Sequence, residues 1–377
     1  MRIGFDAKRL YSNYTGLGNY SRTIVKNLLE YYPSQRFHLY TPRIRTSDEI
    51  QFFKEHPNLE TFVAQTKFKP YWRTYSITEQ LKKDKIDLYH GLSNEIPQNL
   101  KKAKIKSIVT IHDLIFKVLP ETFPLVDRKI YDLKFKKSCK KANKIIAISE
   151  NTKKDLIHYY DIDEQKIEVI YQSCNPIFYR EINVLNSKQV LEKYSLPTEY
   201  NLFVGSIEKR KNLKLIIDAY KYISKSDQIP LVIVGGSRTF NKELSKLIGD
   251  LEAKNKLIWL KNLNDNTDLQ AIYTSAQMLV YPSLYEGFGL PIVEALLSKT
   301  PVITSNTSSL PEAAGKDSVF INPQNPEELA ETILKVQSDS ELRNKMIEKG
   351  YLYATQKFAP EKLTNQLFEC YKNTLAS

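Results

Sequence analysis

EGFGLPIVEAL, residues 286–296, is the stretch of sequence that decides the fold. It follows a strand-like run, MLVYPS (278–283), and opens an apolar helical pattern, LPIVEALLSK (290–299). Gly287 and Gly289 lie in the turn between them, and Pro291 lies where the first turn of a helix tolerates proline. Unpaired N–H groups and the helix dipole converge at such a helix start. The segment therefore predicts an anion-binding turn between a strand and a helix of an α/β domain.

Two glutamates frame this turn: Glu286 precedes it, and Glu294 lies one helical turn beyond it. Carboxylates accept hydrogen bonds from sugar hydroxyls but repel phosphate. The segment thus predicts a place that holds phosphate and a polyol together, as in a nucleotide-sugar. Two glutamates at this spacing and a strand–turn–helix unit are each common. The interpretation therefore depends on the complete string.

The complete string resembles the Glu-x7-Glu signature of retaining glycosyltransferases of family 4. That resemblance implies the GT-B fold, an α/β architecture of two Rossmann-like domains whose parallel sheets face a central cleft. It also implies a nucleotide-sugar donor bound mostly to the second domain. Among members of the family, the chain resembles bacterial polysaccharide mannosyltransferases, and GDP-mannose is therefore the first donor to test.

The length of 377 residues and the hydrophobic content of 42% suit two domains with apolar cores. No apolar run of about 18 residues occurs, and the N-terminus passes directly into strand-like RIGF (2–5). We therefore expect neither a transmembrane segment nor a secretory signal. The three cysteines are far apart in the sequence. This favours a reduced, cytoplasmic protein without a metal or other cofactor.

The formal net charge of +12 belongs entirely to the first half of the chain. Residues 1–180 contain 32 Lys and Arg against 20 Asp and Glu, whereas residues 181–377 contain 23 of each kind. A basic half attracts anionic partners such as nucleic acid, anionic lipid head groups or a pyrophosphate-linked acceptor. No nucleic-acid recognition motif accompanies the charge. The sequence therefore favours a lipid-linked acceptor or peripheral contact with the inner face of the cytoplasmic membrane.

Strand-like runs alternate with helix-length segments along the chain, which predicts parallel sheets covered by helices. In the first half the runs are RIGF (2–5), FHLYT (37–41), IDLYHG (86–91), IKSIVTIH (105–112), KIIAIS (144–149) and KIEVIY (166–171). In the second half they are NLFVGS (201–206), PLVIVGG (230–236), KLIWLK (256–261), MLVYPS (278–283), PVITSN (301–306) and SVFINP (318–323). We predict an acceptor-side domain over 1–180 and a nucleotide-sugar domain over 181–358, with a linker in 180–200. The resemblance implies that the final amphipathic helix, about 359–377, packs back on the first domain.

Two further glycine pairs follow strand-like runs. In TGLGNYS (15–21), Gly16 and Gly18 would let the backbone approach a phosphate or a sugar closely. A dinucleotide fingerprint is disfavoured because its third glycine and its acidic residue after the second strand are missing. In the family, a glycine-rich loop at this place meets the donor phosphates and the acceptor. Gly235 and Gly236, with KNLNDNT (261–267), predict a nucleobase pocket without a readable base preference.

VGSIEKRKNL (204–213) carries Arg210 and Lys211 before the next helical pattern. Two fixed cations beside a helix start could neutralise a diphosphate leaving group in place of a metal ion. A solvated basic turn explains the same residues equally well, but the family resemblance favours the functional role. Lys211 matches the family lysine. Ser206 lies where many members have arginine, and Arg210 is our candidate for the missing guanidinium.

Histidine and serine side chains supply further candidate groups. His112 ends a strand pattern in TIHDLI (110–115), where a histidine is more often structural, but the resemblance implies that it lies beside the transferred sugar. Ser308 and Ser309, in SNTSSLPEAAG (305–315), would either donate to phosphate or cap the following helix. We interpret His90 as mainly structural.

Two other patterns invite a functional interpretation. Asp161 and Asp163 look like the metal-binding Asp-x-Asp of the other major glycosyltransferase fold, but their polar setting predicts a helix-to-strand connection. DRKIYDLKFKKSCKKANK (127–144) interleaves aromatic residues with lysines, and KFKPYWRTY (67–75) does so too. The first of these is either a solvated helix face or an interfacial helix that contacts an anionic membrane.

With the resemblance, these residues imply a metal-independent retaining transferase that builds a surface polysaccharide or glycolipid. The implied roles are Glu294 on the ribose hydroxyls, Glu286 with the amides of Phe288 to Leu290 on the transferred sugar, and Arg210 and Lys211 on the leaving diphosphate. Retention would proceed by front-face attack, since no enzyme nucleophile is evident. Two alternatives stay open: a GT-B phosphorylase or epimerase, and a non-catalytic nucleotide-sugar-binding subunit.

Overall fold

The computed structural model describes residues 1–13, 15–45, 48–181, 184–236, 242–263 and 265–377. The chain divides into two compact units. Unit 1 comprises Met1–Ser173 and Pro360–Ser377, and unit 2 comprises Cys174–Ala359. The division lies at residue 173 rather than at residue 180, because the turn Pro176–Tyr179 packs into unit 2. There Phe178 is buried against the Tyr273 ring, with a centroid distance of 6.0 Å.

Unit 1 is built on a parallel sheet, which has seven strands within the described residues. The strands are β1 (Ile3–Asp6), β2 (Phe37–Thr41), β3 (Leu59–Val63), β4 (Leu88–Gly91), β5 (Lys106–Ile111), β6 (Lys144–Ala147) and β7 (Ile167–Val169). Their order in the sheet is β3-β2-β1-β4-β5-β6-β7. Apolar side chains on both faces pack into two buried clusters, as expected for a parallel sheet covered on both sides.

Helices of unit 1 connect these strands. They are α1 (Lys8–Ser12), α2 (Gly16–Tyr31), α3 (Asp48–Glu55), α4 (Lys69–Tyr71), α5 (Ile77–Lys83), α6 (Ile115–Val118), α7 (Leu125–Lys141) and α8 (Glu150–Tyr160). A π-helical turn, Trp72–Ser76, lies between α4 and α5. Asp161 ends α8 in the left-handed region at φ 54°, and Asp163 accepts from the amide of Gln165 at 2.9 Å. The predicted helix-to-strand connection is therefore confirmed.

The last helix of the chain, Pro360–Ala376, completes unit 1. It contacts α2 and β5. Phe368 stacks on Tyr32 with ring centroids 3.7 Å apart, and Tyr371 is fully buried. A segment from the end of the chain thus supplies part of the core that the first 173 residues begin.

Unit 2 contains a second parallel sheet, of six strands within the described residues. The strands are β8 (Asn201–Val204), β9 (Leu231–Val234), β10 (Leu257–Leu260), β11 (Met278–Tyr281), β12 (Val302–Ser305) and β13 (Val319–Ile321). Their order is β10-β9-β8-β11-β12-β13. The helices are α9 (Val184–Lys193), α10 (Leu213–Ala219), α11 (Lys242–Glu252), α12 (Asn266–Ser275), α13 (Leu290–Leu297), α14 (Leu310–Ala314), α15 (Pro326–Ser338) and α16 (Ser340–Lys357); the helix that completes unit 1 is α17. Each of the six strand-like runs predicted for the second half contains one of these strands.

Each sheet reverses its strand order once, between β1 and β4 in unit 1 and between β8 and β11 in unit 2. The loops that follow the two strands at such a switch point diverge to opposite faces of the sheet and leave a crevice between them. Of the site residues predicted for unit 2, the Arg210–Lys211 turn follows β8 and the Glu286–Glu294 segment follows β11. Gly235 follows β9, and Ser308 and Ser309 follow β12. In the described ranges, no helix has the length and apolar character needed to cross a bilayer.

Candidate functional site

The switch point of unit 2 brings the two predicted loops together. β8 and β11 pair in parallel, with Asn201 opposite Met278 and Leu202 opposite Leu279. After β8 the chain passes through Gly205 to a 3₁₀ turn, Lys209–Lys211. After β11 it reaches the glycine turn at 286–289. The amide of Leu284 donates to the Arg210 carbonyl at 2.8 Å, which fixes one loop to the other.

Glu286 lies between the two predicted cations. Its Oε1 is 2.6 Å from Lys211 Nζ, and its Oε2 is 2.6 Å from Arg210 NH1. Arg210 also pairs with Glu208 at 2.6 Å and donates to the Tyr285 carbonyl at 2.8 Å. The side chains of Lys211 and Glu286 are 11% and 10% exposed, so the pairing takes place largely out of water. The two cations are therefore not a solvated basic turn.

Burial and charge act in opposite directions on this cluster. Burial would raise the pKa of Glu286, but Lys211 and Arg210 lower it to about 2. Burial lowers the pKa of Lys211, and Glu286 opposes that shift. Burial likewise acts to lower the pKa of Arg210, yet Glu286 and Glu208 raise it above its ordinary value. At neutral pH the carboxylate is ionised, and each of its oxygens faces a cation.

Tyr281 is a third partner of this ion pair that the sequence did not single out. It is the last residue of β11 and is fully buried. Its hydroxyl donates to Glu286 Oε1 at 3.1 Å and accepts from Lys211 Nζ. The phenol therefore bridges the anion and the cation. A tyrosine at the end of a buried strand, five residues before the glutamate, is the only sequence signal of this role.

Ser309 stabilises the glycine turn through hydrogen bonds to its backbone. Its hydroxyl is buried and lies 2.9 Å from the carbonyls of Glu286 and Phe288, to which it donates. The proposal that Ser309 donates to phosphate is therefore wrong for this conformation, because its proton is already used within the protein. Ser308 differs: its oxygen accepts from the Glu286 amide at 3.0 Å and the residue is half-buried. In the described part of the chain no other bond of that hydroxyl is found, so Ser308 can still donate.

The backbone conformation of the turn at 286–289 explains why residue 289 is glycine. Gly289 precedes α13 with φ 115°, a conformation that side chains rarely adopt, and a Cβ there would press on Leu310 at 3.3 Å. Phe288 is buried, and its ring meets Phe358 edge-on with a centroid distance of 5.3 Å.

Because α13 begins at Leu290, the N–H of that residue has no i−4 partner within the helix. Pro291 has no N–H, and the Ile292 amide donates to the Gly289 carbonyl at 3.0 Å. The Leu290 amide, and not the Phe288 ring, is what the start of α13 offers to an anion.

Glu294 lies one turn into α13, with its side chain partly exposed. Tyr273 donates to its Oε2 at 3.0 Å. Burial raises the pKa of Glu294 to about 7, and the Tyr273 hydrogen bond only partly opposes this. Glu286 and Glu294 are thus two carboxylates of different character: one is firmly ionised, and the other changes charge near neutral pH.

Gly235 is required by the backbone. It has φ 136°, and a Cβ on it would lie 2.4 Å from the Gly205 carbonyl oxygen. A cavity nearby is lined by Gly236, Trp259, Lys261 and Asn262, at the carboxyl ends of β9 and β10. The cavity lies beside the residues for which a nucleobase pocket is predicted, and base binding there stays a prediction. Residue 264 of the predicted loop lies outside the described residues.

Gly16 and Gly18, the glycine pair of unit 1, differ in how closely other atoms surround them. Gly18 is buried in the first turn of α2, and a Cβ on it would overlap the Asn13 carbonyl oxygen at 1.7 Å. Gly16 is exposed, and no atom lies within 4 Å of the position where its Cβ would be. Gly18 is therefore explained by packing, whereas Gly16 has no packing reason to be glycine.

His90 and His112, two of the histidines of unit 1, are both buried and neutral. His112 Nε2 donates to the Leu92 carbonyl at 2.9 Å, which leaves Nδ1 as an acceptor. Burial lowers the pKa of His112 to about 4. His90 has both ring nitrogens engaged, at 2.8 Å from Tyr371 and from Thr110. His90 is thus structural, as predicted, while His112 could accept a hydrogen bond but not act as a cation.

Family models account for most of the chain. One, described as Glycosyltransferase Family 4, matches residues 21–176, and another, described as Glycosyl transferases group 1, matches residues 189–353. The chain belongs to the glycosyltransferases. Among proteins similar to this glycosyltransferase, O-antigen chain mannosyltransferase B of Escherichia coli is 26% identical over 394 residues, which cover 99% of this chain and all of that protein.

Two solved structures resemble this glycosyltransferase over nearly its whole length. A glycosyltransferase from Rickettsia africae ESF-5 has a TM-score of 0.79 and 20% identity, covering 99% of this chain and 98% of that one. Anabaena HepE in complex with UDP and glucose has a TM-score of 0.77 and 17% identity, covering 99% and 100%. The fold is GT-B, as the sequence predicted.

Unit 1 of this glycosyltransferase also contains a charged cluster that the sequence did not reveal. Arg73, on the π-helical turn, pairs with Asp6 at 2.5 Å and with Glu95 at 2.9 Å. The three residues are distant in sequence and match no motif, so only the fold brings them together. Within the described ranges, no three His, Cys, Asp or Glu side chains come close enough together to hold a metal ion.

Proposed function

We propose that this glycosyltransferase transfers a hexose from a nucleotide-sugar to a glycan or lipid-linked acceptor, with retention of the anomeric configuration and without a metal ion. The observation that carries the proposal is the buried cluster of Arg210, Lys211 and Glu286 at the carboxyl ends of β8 and β11. The relative named as an O-antigen mannosyltransferase supports mannose and polysaccharide synthesis. HepE, solved with UDP and glucose, supports a nucleotide-sugar donor.

The cluster would exchange one anion for another when the donor binds. In the structure the Glu286 carboxylate pairs with both cations. A diphosphate brought beside Arg210 and Lys211 would take over that role through charge-assisted hydrogen bonds. Glu286 would then turn to a hydroxyl of the transferred sugar, and the Leu290 amide at the start of α13 would complete the anion site. The attraction between these cations and the leaving group would increase as negative charge develops on the leaving group.

The reaction would proceed on one face of the donor. An acceptor hydroxyl oxygen would form a bond to the anomeric carbon on the side from which the diphosphate departs. The bond from the anomeric carbon to the phosphate oxygen breaks, and that oxygen takes the proton of the acceptor hydroxyl. The two protein cations would supply the charge stabilisation that a metal ion provides elsewhere. Glu294 would accept hydrogen bonds from the ribose hydroxyls.

Donor binding and product stereochemistry test the proposal. UDP-, GDP- and ADP-sugars are screened for thermal stabilisation, because a ligand that binds only the folded state raises its apparent stability. The best donor is then supplied with acceptors, with and without a chelator, and the new linkage is assigned by NMR. We expect one donor class to stabilise the protein and an unchanged anomeric configuration in the product. Inversion, or full loss of activity on chelation, would contradict the proposal.

The same assay separates the alternatives. Release of free nucleoside diphosphate only when an acceptor is present supports transfer, whereas reaction with phosphate alone would indicate a phosphorylase. Conversion of the donor to its epimer would indicate an epimerase. Binding of a donor without turnover across a broad acceptor panel would favour the non-catalytic subunit.

We further propose that the enzyme is cytoplasmic and that unit 1 makes peripheral contact with an anionic membrane. Helix α7 exposes Leu125, Val126 and Leu133, which are 57–68% exposed, among lysines. The segment before the π-helical turn exposes Phe68 and Tyr71 at 76% and 62%. Apolar residues within a basic surface favour anionic bilayers. Sedimentation with vesicles of anionic and neutral lipid tests this: binding should require anionic lipid and fall when Leu125 and Val126 are both changed to Ser.

A further inference from the structure

We infer that Glu208 is a further positioning residue of the donor site, which holds the Arg210 guanidinium and stays paired with it when Glu286 turns to the sugar. By staying, its carboxylate limits the affinity of the site for the nucleoside diphosphate that leaves. This role rests on the proposed function, because it requires a diphosphate beside Arg210 and Lys211. Neither the Glu-x7-Glu segment nor the two cations account for Glu208.

The Arg210 guanidinium meets carboxylates on two of its nitrogens. NH2 donates to Glu208 Oε1 at 2.6 Å, and NH1 lies 2.6 Å from Glu286 Oε2. NH1 also donates to the Tyr285 carbonyl at 2.8 Å. The side chains of Arg210 and Glu208 are 14% and 21% exposed, so their pair is better shielded from water than a surface ion pair. Arg210 therefore keeps a partner at NH2 when the partner at NH1 changes.

The backbone fixes the place from which the Glu208 side chain reaches Arg210. Ile207 is fully buried, and its amide donates to the Gly236 carbonyl at 2.9 Å. On the other side, the Lys211 amide donates to the Glu208 carbonyl at 3.0 Å and closes the 3₁₀ turn. Since hydrogen bonds hold the backbone on both sides, the carboxylate can stay at Arg210 without any rearrangement of the loop.

Ser206 orients the same carboxylate. Its hydroxyl donates at 3.2 Å to Glu208 Oε1, the oxygen that also accepts from Arg210 NH2. Ser206 lies where many family members have arginine, and Arg210 is our candidate for the missing guanidinium. The two hydrogen bonds to Glu208 Oε1 explain how a guanidinium that comes later in the turn is held in the site.

Glu208 and Glu286 differ in how readily they can leave Arg210. Glu208 lies two residues before Arg210 in the same turn, whereas Glu286 belongs to the loop after β11. If Glu286 turns to the sugar as proposed, Glu208 is the carboxylate that remains beside Arg210 and Lys211. The diphosphate then meets two cations of which one is already neutralised.

The Glu208 charge should act more strongly on the product than on the donor. The diphosphate of a nucleotide-sugar is esterified at both ends, whereas the terminal phosphate of a free nucleoside diphosphate carries about one further negative charge above its pKa of about 6. Repulsion from a fixed carboxylate grows with the charge of the ligand. Glu208 therefore favours release of the product, a step that limits turnover in many enzymes.

Calorimetry on the full chain at pH 8 tests this role, with GDP, UDP, GDP-mannose and UDP-glucose as ligands. Glu208→Gln keeps a hydrogen-bond acceptor but removes the charge, and Glu208→Ala removes both. Asp218→Asn is the matched control. The Asp218 side chain is likewise 21% exposed, and it pairs with Lys214 and Lys221 rather than with a residue of the donor site.

We expect Glu208→Gln to bind the diphosphate about tenfold more tightly than the unmodified chain does, because one like charge beside the ligand is removed. The matching nucleotide-sugar should gain less. Asp218→Asn should bind both ligands as the unmodified chain does. A role of Glu208 in stability alone would not tighten binding, so unchanged or weaker diphosphate binding in Glu208→Gln would overturn the inference.

The positioning role is measured separately, as the rate of a single turnover with enzyme in excess over donor, which excludes product release. Glu208→Ala should lower this rate about 10- to 100-fold, because the guanidinium loses its holder. Glu208→Gln should restore most of the rate, since its amide oxygen still accepts from Arg210. Equal rates in Glu208→Ala and in the unmodified chain would contradict the positioning role.

Failure of the proposed function would look different from failure of this inference. In the first case neither diphosphates nor nucleotide-sugars bind to the unmodified chain or to any variant. In the second case the unmodified chain binds and turns over its donor, but Glu208→Gln has the same ratio of diphosphate affinity to nucleotide-sugar affinity. The Tm of each variant, measured on the same samples, shows that the chain is folded.

Discussion

Lys211 Nζ lies 2.6 Å from Glu286 Oε1, although the two residues come from loops that follow different strands. The second oxygen of the same carboxylate lies 2.6 Å from Arg210. The protein therefore pairs its two buried cations with one internal anion and holds them in place. This arrangement prepares an anion site without leaving like charges unpaired away from water.

Removing the lysine should disable catalysis while sparing the fold. Lys211→Ala leaves Glu286 paired with Arg210, so no buried charge is left alone. We expect turnover to fall by two to three orders of magnitude, roughly the effect of losing one group that stabilises developing charge. Lys209→Ala, an exposed neighbour, is the control. Near-normal turnover in Lys211→Ala would remove that residue from the mechanism.

Removing the carboxylate should instead destabilise the protein. Glu286→Gln leaves Lys211 and Arg210 buried without their common anion, for which we expect a loss of about 3–5 kcal/mol in the free energy of unfolding. Urea unfolding measures it, with the exposed Glu331→Gln as control. The double variant Lys211→Met, Glu286→Gln should lose less than the two single losses together. Additive losses would show that the pair is not coupled.

Low pH should destabilise the protein by protonating the Glu286 carboxylate. The pKa of Glu286 is lowered to about 2 from an ordinary 4.5, so its stabilisation is present above pH 4.5 and disappears as the pH falls towards 2. Unfolding experiments across this range should show a smaller pH dependence in Glu286→Gln than in the unmodified chain. If the free energy of unfolding changed equally with pH in Glu286→Gln and in the unmodified chain, the lowered pKa of Glu286 would be contradicted.

Donor affinity should rise with pH around neutrality. The pKa of Glu294 is raised to about 7, so the carboxyl is largely protonated at pH 6 and ionised at pH 8. The ionised form accepts hydrogen bonds from both ribose hydroxyls better than the neutral form does. Calorimetry with an intact nucleotide-sugar, whose diphosphate does not titrate in this range, should show tighter binding at pH 8. Glu294→Gln should bind weakly and equally at both values, and a retained pH dependence would assign the titration to another group.

The Tyr281 hydroxyl should matter more to kcat than to donor binding. The Tyr281 hydroxyl accepts a hydrogen bond from Lys211 Nζ. If Glu286 turns to the sugar as proposed, the phenol would remain as the fixed partner of Lys211. Tyr281→Phe should therefore lower kcat about 10- to 100-fold through misplacement of the ammonium, with a smaller change in the donor KM. It should also move the alkaline limit of kcat to lower pH, because a group that stabilises charged Lys211 is lost.

Tyr220→Phe is the matched control for this change. Tyr220 is equally a buried tyrosine, and its hydroxyl accepts from Asn201 Nδ2 at 3.0 Å, away from the cluster. Both variants should lose similar stability, but only Tyr281→Phe should alter the pH profile of kcat. The same pH profile in both would make Tyr281 merely structural.

The two glycines before α2 should respond in opposite ways to alanine. Gly18→Ala places a methyl group on the Asn13 carbonyl and should lower the Tm by several degrees. Gly16→Ala meets open space and should leave the Tm unchanged or raise it slightly, since alanine favours a helix. If Gly16→Ala nevertheless impairs turnover, the exposed glycine has a ligand-binding role. Unimpaired turnover would leave it without one.

Most of the fold could be predicted from local sequence patterns, because buried parallel strands are continuous apolar runs bounded by turn residues. β3 was missed because LETFV has two adjacent polar residues and no continuous apolar run. Within the described residues it pairs with β2 alone and is partly exposed at the edge of the sheet. The domain boundary was placed too late, since Phe178 belongs to the core of unit 2.

Only the part of the candidate site that lies within one continuous segment could be predicted from the sequence. The strand, glycine turn and helix at 278–297 form the predicted unit, with Glu286 and Glu294 placed as expected. The pairing of Glu286 with Arg210 and Lys211, the bridge by Tyr281 and the brace by Ser309 are long-range contacts. Each depends on which strands become neighbours, which no local pattern encodes. The Arg73 cluster of unit 1 was missed for the same reason.

Helix α17 has a consequence for the order in which the chain folds on the ribosome. Unit 1 needs Tyr371 and Phe368 to close its core, yet both emerge only after all of unit 2 has been made. Unit 2 is continuous in sequence and can finish first. Until α17 has been made, the first 173 residues expose the apolar surface that this helix covers. A chain that ends at residue 359 should therefore retain a stable unit 2 but expose unit 1 to chaperones and proteases.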